Sequence, residues 1–182
     1  SMARASGERT LIIDADVRSP SLHSIFDVSN EVGLVDVLAE RCLPHDAIIT
    51  TWSNSLHVLP SGAMDKSPHV LFHPERFARL LKELSCDYRY IVIDTPPVLA
   101  AAETLTVAQL VSGVVICTMR DFSRTARVKL AHKQLLDVEA RPLGIVLSGV
   151  PTKVDEGIYG SYRDTPRFPS PESERLEAVA HS

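Results

Sequence analysis

Four side chains at two points of the chain have the types and the spacing needed to bind a cation and a phosphate. Asp14, Asp16 and Arg18 follow one short aliphatic run, and Asp94 follows another. Aliphatic runs that stop at a carboxylate are typical of buried parallel strands whose carboxyl ends open onto a ligand crevice. Carboxylate oxygens are ligands that Mg²⁺ takes in proteins. The pattern predicts a magnesium and phosphate site at one edge of a sheet.

Each aspartate alone has an ordinary interpretation, as a helix N-cap or a hydrogen-bonding loop residue. The combination favours a function, because Asp14-x-Asp16-x-Arg18 places two carboxylates and a guanidinium at one strand end. After Asp94, two prolines prevent the strand from running on into a regular helix. The 182 residues contain no G-x-x-x-x-G-K-[ST] loop, the usual phosphate cradle.

Short apolar runs alternate with helical patterns, which predicts an α/β fold with a mostly parallel sheet flanked by helices. The predicted strands are 10–14, 56–59, 90–94, 114–118 and 143–147. The predicted helices are 22–26, 34–39, 74–86 and 124–138, the last with Ser123 as its N-cap. From about residue 152 the composition shifts to Gly, Ser, Pro, Arg and Glu, which predicts a flexible tail over 152–182 after a domain at 1–151.

Composition narrows the classes of function. The formal net charge of −4 argues against the broad basic surface that nucleic-acid binding needs. No apolar run reaches the roughly eighteen residues that span a bilayer, and there is no secretory signal, so we expect a cytoplasmic chain without direct membrane insertion. Cys42, Cys86 and Cys117 lack C-x-x-C spacing, and we expect them to be reduced and mostly buried.

Residues 11–22, 90–99 and 143–151 together resemble the bacterial tyrosine autokinases of capsule and exopolysaccharide export, a branch of the P-loop NTPases related to MinD and ParA. The string I-D-A-D-x-R is similar to the family's second Walker A motif, and I-D-T-P-P is similar to its Walker B motif. The agreement is co-linear from about residue 3 to residue 151. The resemblance implies a kinase domain that uses ATP and Mg²⁺.

The resemblance also implies roles for single residues. Asp14 matches the aspartate proposed to assist deprotonation of the attacking tyrosine hydroxyl. Asp16 and Asp94 match Mg²⁺-associated aspartates, Asp94 through a bound water. Arg18 falls where a cation could neutralise charge on the transferred phosphoryl group. Arg120 matches an arginine at the nucleotide rim, although an ordinary surface arginine accounts for it equally well.

Tyr159 and Tyr162 look like a remnant of the tyrosine cluster that the family phosphorylates in trans, and two ordinary tail tyrosines are an equally good interpretation. The resemblance further implies a membrane-anchored polysaccharide co-polymerase or activator domain as partner. It places the chain in the cytoplasm, at the inner face of the cell membrane through that partner or a missing segment.

The chain departs from the family pattern at its start. Family members place a P-loop strand and its G-K-[ST] loop ahead of the D-x-D string, and this chain begins inside that interval. The resemblance therefore predicts that the P-loop strand is missing, that unpaired backbone is exposed on both sides of the gap, and that the chain alone is inactive. Glu103 and Ser112 stand where aspartates are usual, and Ser148 where an asparagine often reads adenine.

Three functions remain open. The first is a tyrosine autokinase domain that is inactive as these 182 residues alone. The second is a non-catalytic interaction module for a polysaccharide co-polymerase or a kinase. The third is an ATPase of the MinD type without a tyrosine substrate. The tyrosine pair and the string at 14–22 favour kinase ancestry, and the open sheet predicts self-association or a local rearrangement.

Overall fold

A computed structural model describes residues 7–63 and 71–150, in which strands and helices alternate. The strands are β1 (Thr10–Asp14), β2 (Ile49–Thr50), β3 (Leu56–Leu59), β4 (Tyr90–Asp94), β5 (Val114–Met119) and β6 (Pro142–Ser148). The helices are α1 (Leu22–Phe26), α2 (Leu34–Leu38), α3 (Pro44–Ala47), α4 (Pro74–Leu84), α5 (Ala102–Leu110) and α6 (Thr125–Asp137). None of the described helices has the length and apolar character needed to cross a bilayer.

Strand β1 lies inside a four-stranded sheet with the order β2-β3-β1-β4. It pairs in parallel with β3 and with β4, and Asp14 lies directly beside Asp94 at the carboxyl ends of their strands. The two residues of β2 add an antiparallel edge to β3. This is the mostly parallel α/β arrangement that the sequence predicts, with all five predicted strands present.

Strands β5 and β6 form a separate two-stranded parallel sheet. Among the described strands, β4 pairs only with β1 and β5 pairs only with β6. Each of these strands therefore keeps one edge without a described partner.

The core packs around β1 and one face of α4. Leu11 and Ile13 of β1 are fully buried, as expected for a central strand with an unbroken aliphatic run. Phe77, Leu80 and Leu84 of α4 are buried against the same cluster, at the spacing of one helical stripe. Burial of a side chain such as Phe77 contributes about 1.5–3 kcal/mol. This packing fixes the position of β1, and with it the position of Asp14 at the end of the strand.

Helix α5 has no predicted counterpart, because its sequence lacks the single apolar stripe that identifies an amphipathic helix. Its buried face mixes polar and apolar residues, which are Glu103, Thr104, Val107 and Ala108. Helix α3 and strand β2 are also missing from the sequence-based expectation, since four and two residues are too short to show a period.

The predicted cap of α6 is wrong. The N-cap is Arg124, and the Ser123 hydroxyl instead accepts a hydrogen bond from the Met119 backbone N–H at 3.0 Å. Ser123 therefore closes the turn after β5 rather than the first turn of the helix. The apolar face of α6 is as predicted, with Ala131 and Leu135 buried.

The expectation of mostly buried cysteines is also wrong. All three thiols are free, but Cys86 and Cys117 are exposed and only Cys42 is partly buried. Cys86 follows the last turn of α4, and Cys117 lies on β5, a strand that is covered incompletely. Burial raises the pKa of the Cys42 thiol, with smaller contributions from nearby carboxylates, and so makes its thiolate less available.

Strand β6 carries apolar side chains that are exposed on both faces of its sheet. Leu143, Ile145, Val146 and Leu147 are each 50–61% exposed, and successive residues of a strand point to opposite faces. Contiguous apolar surface of this kind is uncommon on monomeric proteins.

Candidate active site

Asp14 is a buried carboxylate at the end of β1, and its two oxygens have different surroundings. The residue is 0% exposed. Oδ2 accepts hydrogen bonds from the backbone N–H groups of Ser21 and Leu22, both at 3.0 Å. Oδ1 is buried and has no hydrogen-bond partner among the described residues. An unsatisfied buried acceptor costs about 1–3 kcal/mol, so this oxygen is suited to a proton donor or a cation.

Asp94 ends β4 and stands beside Asp14 across the strand pair. Its backbone carbonyl accepts the N–H of Ala15 at 2.8 Å, which extends the pairing of β1 and β4 past the two carboxylates. Partial desolvation raises the pKa of the Asp94 carboxyl, and the negative charges of Asp14 and Asp16 raise it further. The three carboxylates therefore repel one another, and a bound cation would weaken that repulsion.

Asp16 shapes the turn that leaves β1. Its Oδ1 accepts the backbone N–H groups of Arg18 at 3.3 Å and Ser19 at 3.0 Å. The Ser19 N–H also approaches the Asp16 carbonyl at 3.2 Å. The side chain is only partly buried, so the carboxylate can still meet a ligand. The structure thus brings Asp14, Asp16 and Asp94 to one edge of the sheet.

Arg18 is held by a residue that the sequence does not identify as part of the site. Its Nε donates to Glu103 Oε1 at 2.7 Å, where the Glu103 side chain is 1% exposed and that of Arg18 is 43% exposed. This hydrogen bond and the charge of Glu103 raise the pKa of Arg18. Glu103 is one charged residue in an otherwise apolar or neutral stretch, a pattern that indicates a buried and paired charge.

Hydrogen bonds hold the loop after β3 against the start of α2, next to the sheet edge that carries Asp14 and Asp94. The Asn30 side-chain carbonyl accepts the Gly62 N–H at 2.9 Å and the Ser61 hydroxyl at 3.2 Å. The Leu34 N–H donates to the Pro60 carbonyl at 2.8 Å. Because Leu59 of β3 pairs beside Ile13 of β1, this clamp fixes the wall adjacent to Asp14. Neither Asn30 nor Gly33 is predicted from the sequence to belong to the site.

The remaining predicted site residues lie elsewhere or outside the described residues. Arg120 follows β5, in the two-stranded sheet, where its side chain lies 3.5 Å from Asp121 and its backbone N–H donates to the Ser148 carbonyl. Among the described residues, no hydrogen bond or ion pair joins Arg120 to Asp14, Asp16 or Asp94. Tyr159 and Tyr162 lie outside the described residues.

The carboxylates at this sheet edge suit Mg²⁺ better than a metal whose ligands all come from the protein. Within residues 7–63 and 71–150, no three His, Cys, Asp or Glu side chains form a cluster that could hold a metal ion by themselves. Mg²⁺ keeps several waters and takes one or two carboxylates together with phosphate oxygens. Asp16 and Asp94 could supply such carboxylates, and the unpartnered Oδ1 of Asp14 could meet a coordinated water.

Comparison with known proteins gives the class first. Residues 1–133, more than half of the chain, match the AAA domain family. The tyrosine-protein kinase CpsD of Streptococcus agalactiae is 31% identical over 164 residues, which cover 89% of this chain and 71% of CpsD. The chain belongs to the bacterial tyrosine-protein kinases of the AAA domain family.

Solved structures agree with the fold. The crystal structure of the chimerical protein CapA2B2 has a TM-score of 0.75 at 32% identity and covers 80% of this chain. The kinase domain of the Escherichia coli tyrosine kinase ETK has a TM-score of 0.78 at 28% identity and covers 82% of this chain. The chain spans only 64% and 58%, respectively, of those two chains.

Proposed function

We propose that this chain supplies the carboxylate side of the ATP site in a bacterial protein-tyrosine autokinase of capsule or exopolysaccharide export. The observation that carries the proposal is the pair formed by buried Asp14, with its unpartnered Oδ1, and Asp94 at the ends of adjacent parallel strands. The kinase relatives supply the reaction class.

In this reaction the tyrosine oxygen forms a bond to the γ-phosphorus of ATP while the bond from that phosphorus to the bridging oxygen breaks, and ADP leaves with the electron pair. Asp14 accepts the proton of the hydroxyl through Oδ1. Its other oxygen is held by two backbone amides, so the carboxylate keeps a fixed orientation. Tyr159 and Tyr162 are the proposed acceptors, and trans transfer requires a second copy.

Asp16 and Asp94 are the residues that would hold Mg²⁺, Asp94 through a water molecule. The ion, when bound, neutralises charge on the phosphate oxygens. The pKa of Asp94 is raised first by partial desolvation and then by repulsion from Asp14 and Asp16, and a cation would offset this repulsion. Arg18 supplies positive charge on the same side, and Arg120 is the proposed contact at the nucleotide rim.

The 182 residues alone do not transfer phosphate under this proposal, because they contain no G-K-[ST] loop to cradle the β- and γ-phosphates. We propose that a further strand, carrying such a loop, pairs with the open edge of β4 and completes both the sheet and the site. A membrane-anchored co-polymerase or activator domain is the proposed partner at the inner face of the membrane.

The test compares the 182-residue chain with a fusion that adds, ahead of Ser1, the P-loop segment of a family member such as CpsD. Each protein is incubated with radiolabelled ATP and Mg²⁺, and phosphotyrosine is mapped by mass spectrometry. We expect labelling of the fusion at Tyr159 or Tyr162 and none of the chain alone. Asp14→Asn and Asp94→Asn should each remove the labelling.

Asp27→Asn is the matched control, because Asp27 is exposed and ends α1 in a left-handed conformation that asparagine tolerates. Asp94-dependent labelling of the chain alone would overturn its inactivity. Labelling of the fusion that survives both aspartate substitutions would overturn the proposed roles.

A non-catalytic interaction module is the second candidate, and the exposed apolar strand β6 favours it. It predicts a folded fusion that binds no ATP. If the chain also captures a co-polymerase domain, and a substitution in β6 but not one at Asp94 abolishes the capture, the interaction module is the correct function.

A further inference from the structure

The ion pair of Arg18 and Glu103 joins the turn after β1 to the first turn of α5. The two residues are 85 positions apart in sequence, so the contact forms only when both strands of the site are in place. A carboxylate in the first turn of a helix is also favoured by the helix dipole. Glu103 therefore has a fixed position, from which it can orient a side chain on the neighbouring loop.

The contact uses only part of the arginine. A guanidinium carries five N–H donors in one plane, and the Nε donor of Arg18 is taken by Glu103. Within the part of the chain that the structure describes, neither terminal amino group of Arg18 has a hydrogen-bond partner. A guanidinium held at Nε keeps its amino groups ready for paired contacts with phosphate oxygens.

We propose that Glu103 is a positioning residue that holds the Arg18 guanidinium for the phosphoryl group of the bound nucleotide. The inference rests on the proposed function, which places phosphate at this edge. Glu103 itself touches no ligand. Glu103 restricts the rotation of the Arg18 side chain before any ligand binds, so less conformational entropy is lost when the arginine contacts phosphate.

The test uses four forms: wild type, Glu103→Gln, Arg18→Ala and the double variant, each prepared as the 182-residue chain and as its fusion to the P-loop segment. Exchange is measured on the chain and affinity on the fusion, because only the fusion carries the loop that cradles the phosphates. ¹⁵N NMR measures hydrogen exchange at Arg18 Nε without any ligand, and calorimetry measures the affinity for inorganic pyrophosphate. We expect rapid Nε exchange and a roughly tenfold weaker affinity in Glu103→Gln, the scale of one charge-assisted hydrogen bond. In the Arg18→Ala background, Glu103→Gln should cause no further loss of affinity.

Glu40→Gln is the control, because Glu40 forms an exposed ion pair with Arg79, 3.5 Å long, away from the aspartates. Glu103→Asp keeps the charge, and should retain part of the affinity if Glu103→Gln does not fold. Nε exchange in Glu103→Gln that is as slow as in wild type, or additive losses in the double variant, would overturn the positioning role. A wild-type fusion that binds no pyrophosphate, while the chain shows Nε protection, would instead refute the proposed function, and with it the purpose of the contact.

Discussion

Asp94 is the residue whose ionisation the fold opposes most clearly. Its carboxyl pKa in the folded state is raised above the ordinary value of 3.8 by partial desolvation and by Asp14 and Asp16. A raised pKa in an acid means that the folded chain holds the proton more tightly than the unfolded chain does. Ionised Asp94 therefore destabilises the fold above its folded pKa, and this cost disappears as the pH falls below about 3.8.

We accordingly predict that Asp94→Asn raises the melting temperature of the chain at about pH 7, while it removes Mg²⁺-dependent nucleotide binding from the P-loop fusion. The gain over wild type should shrink steadily as the pH is lowered toward 4, because protonation then neutralises the wild-type carboxyl. Differential scanning calorimetry of both proteins across this range is the measurement. Asp27→Asn, at an exposed position, is the control. A stability gain of Asp94→Asn that is independent of pH would contradict the explanation.

At the scale of elements, the contact between the β3 loop and α2 depends on two glycines that lie against each other. A Cβ added to Gly33 would overlap the backbone of Pro60, Ser61 and Gly62. Gly62 has a φ of +77°, a conformation that side chains rarely adopt. The overlap involves backbone atoms, which cannot move aside as a flexible side chain can.

Gly33→Ala should therefore destabilise the chain by about 3 kcal/mol or more, the upper range for an overpacked site. It should also weaken ligand binding at Asp14, since the loop walls the carboxylate edge. Urea unfolding measures the first effect and calorimetry the second. Gly144→Ala is the control, because a Cβ there would meet nothing within 4 Å. Equal stability of the two variants would show that the loop adapts.

The sequence predicts those elements whose cause is local. Strands β1 and β4 follow from aliphatic runs that end at Asp14 and Asp94, and α4 follows from its apolar stripe. Because neighbouring parallel strands bring their carboxyl ends to one edge, the meeting of these aspartates is predictable as well. The order of the strands in the sheet does not follow from these runs alone.

Features that depend on distant partners could not be predicted in the same way. The buried face of α5 includes the polar residues Glu103 and Thr104, so its pattern shows no apolar stripe, and the partner of Arg18 lies on that helix. The exposure of Cys117 depends on which strands cover β5, which its own sequence does not encode. The clamp by Asn30 requires the loop after β3, which only the folded chain brings near.

At the scale of the whole molecule, the divided sheet is the property with the largest consequence. Strand β6 exposes apolar side chains on both faces, and β4 and β5 each keep an edge that pairs with no described strand. Open edges and apolar faces favour pairing with another chain. A strand added at the open edge of β4 would lie beside Asp94, so covering that edge would also add a wall to the site.

We predict that the purified chain self-associates at micromolar concentration, and that Ile145→Lys on β6 shifts it toward monomer in analytical ultracentrifugation. A lysine there places a charge on a face that association would bury, at a cost that a surface position does not impose. Ile25→Lys is the matched control, because Ile25 is 67% exposed on α1, apart from β6. A wild-type chain that stays monomeric and melts at high temperature would mean that the open strands are satisfied within one molecule, and that no second copy is needed to cover them.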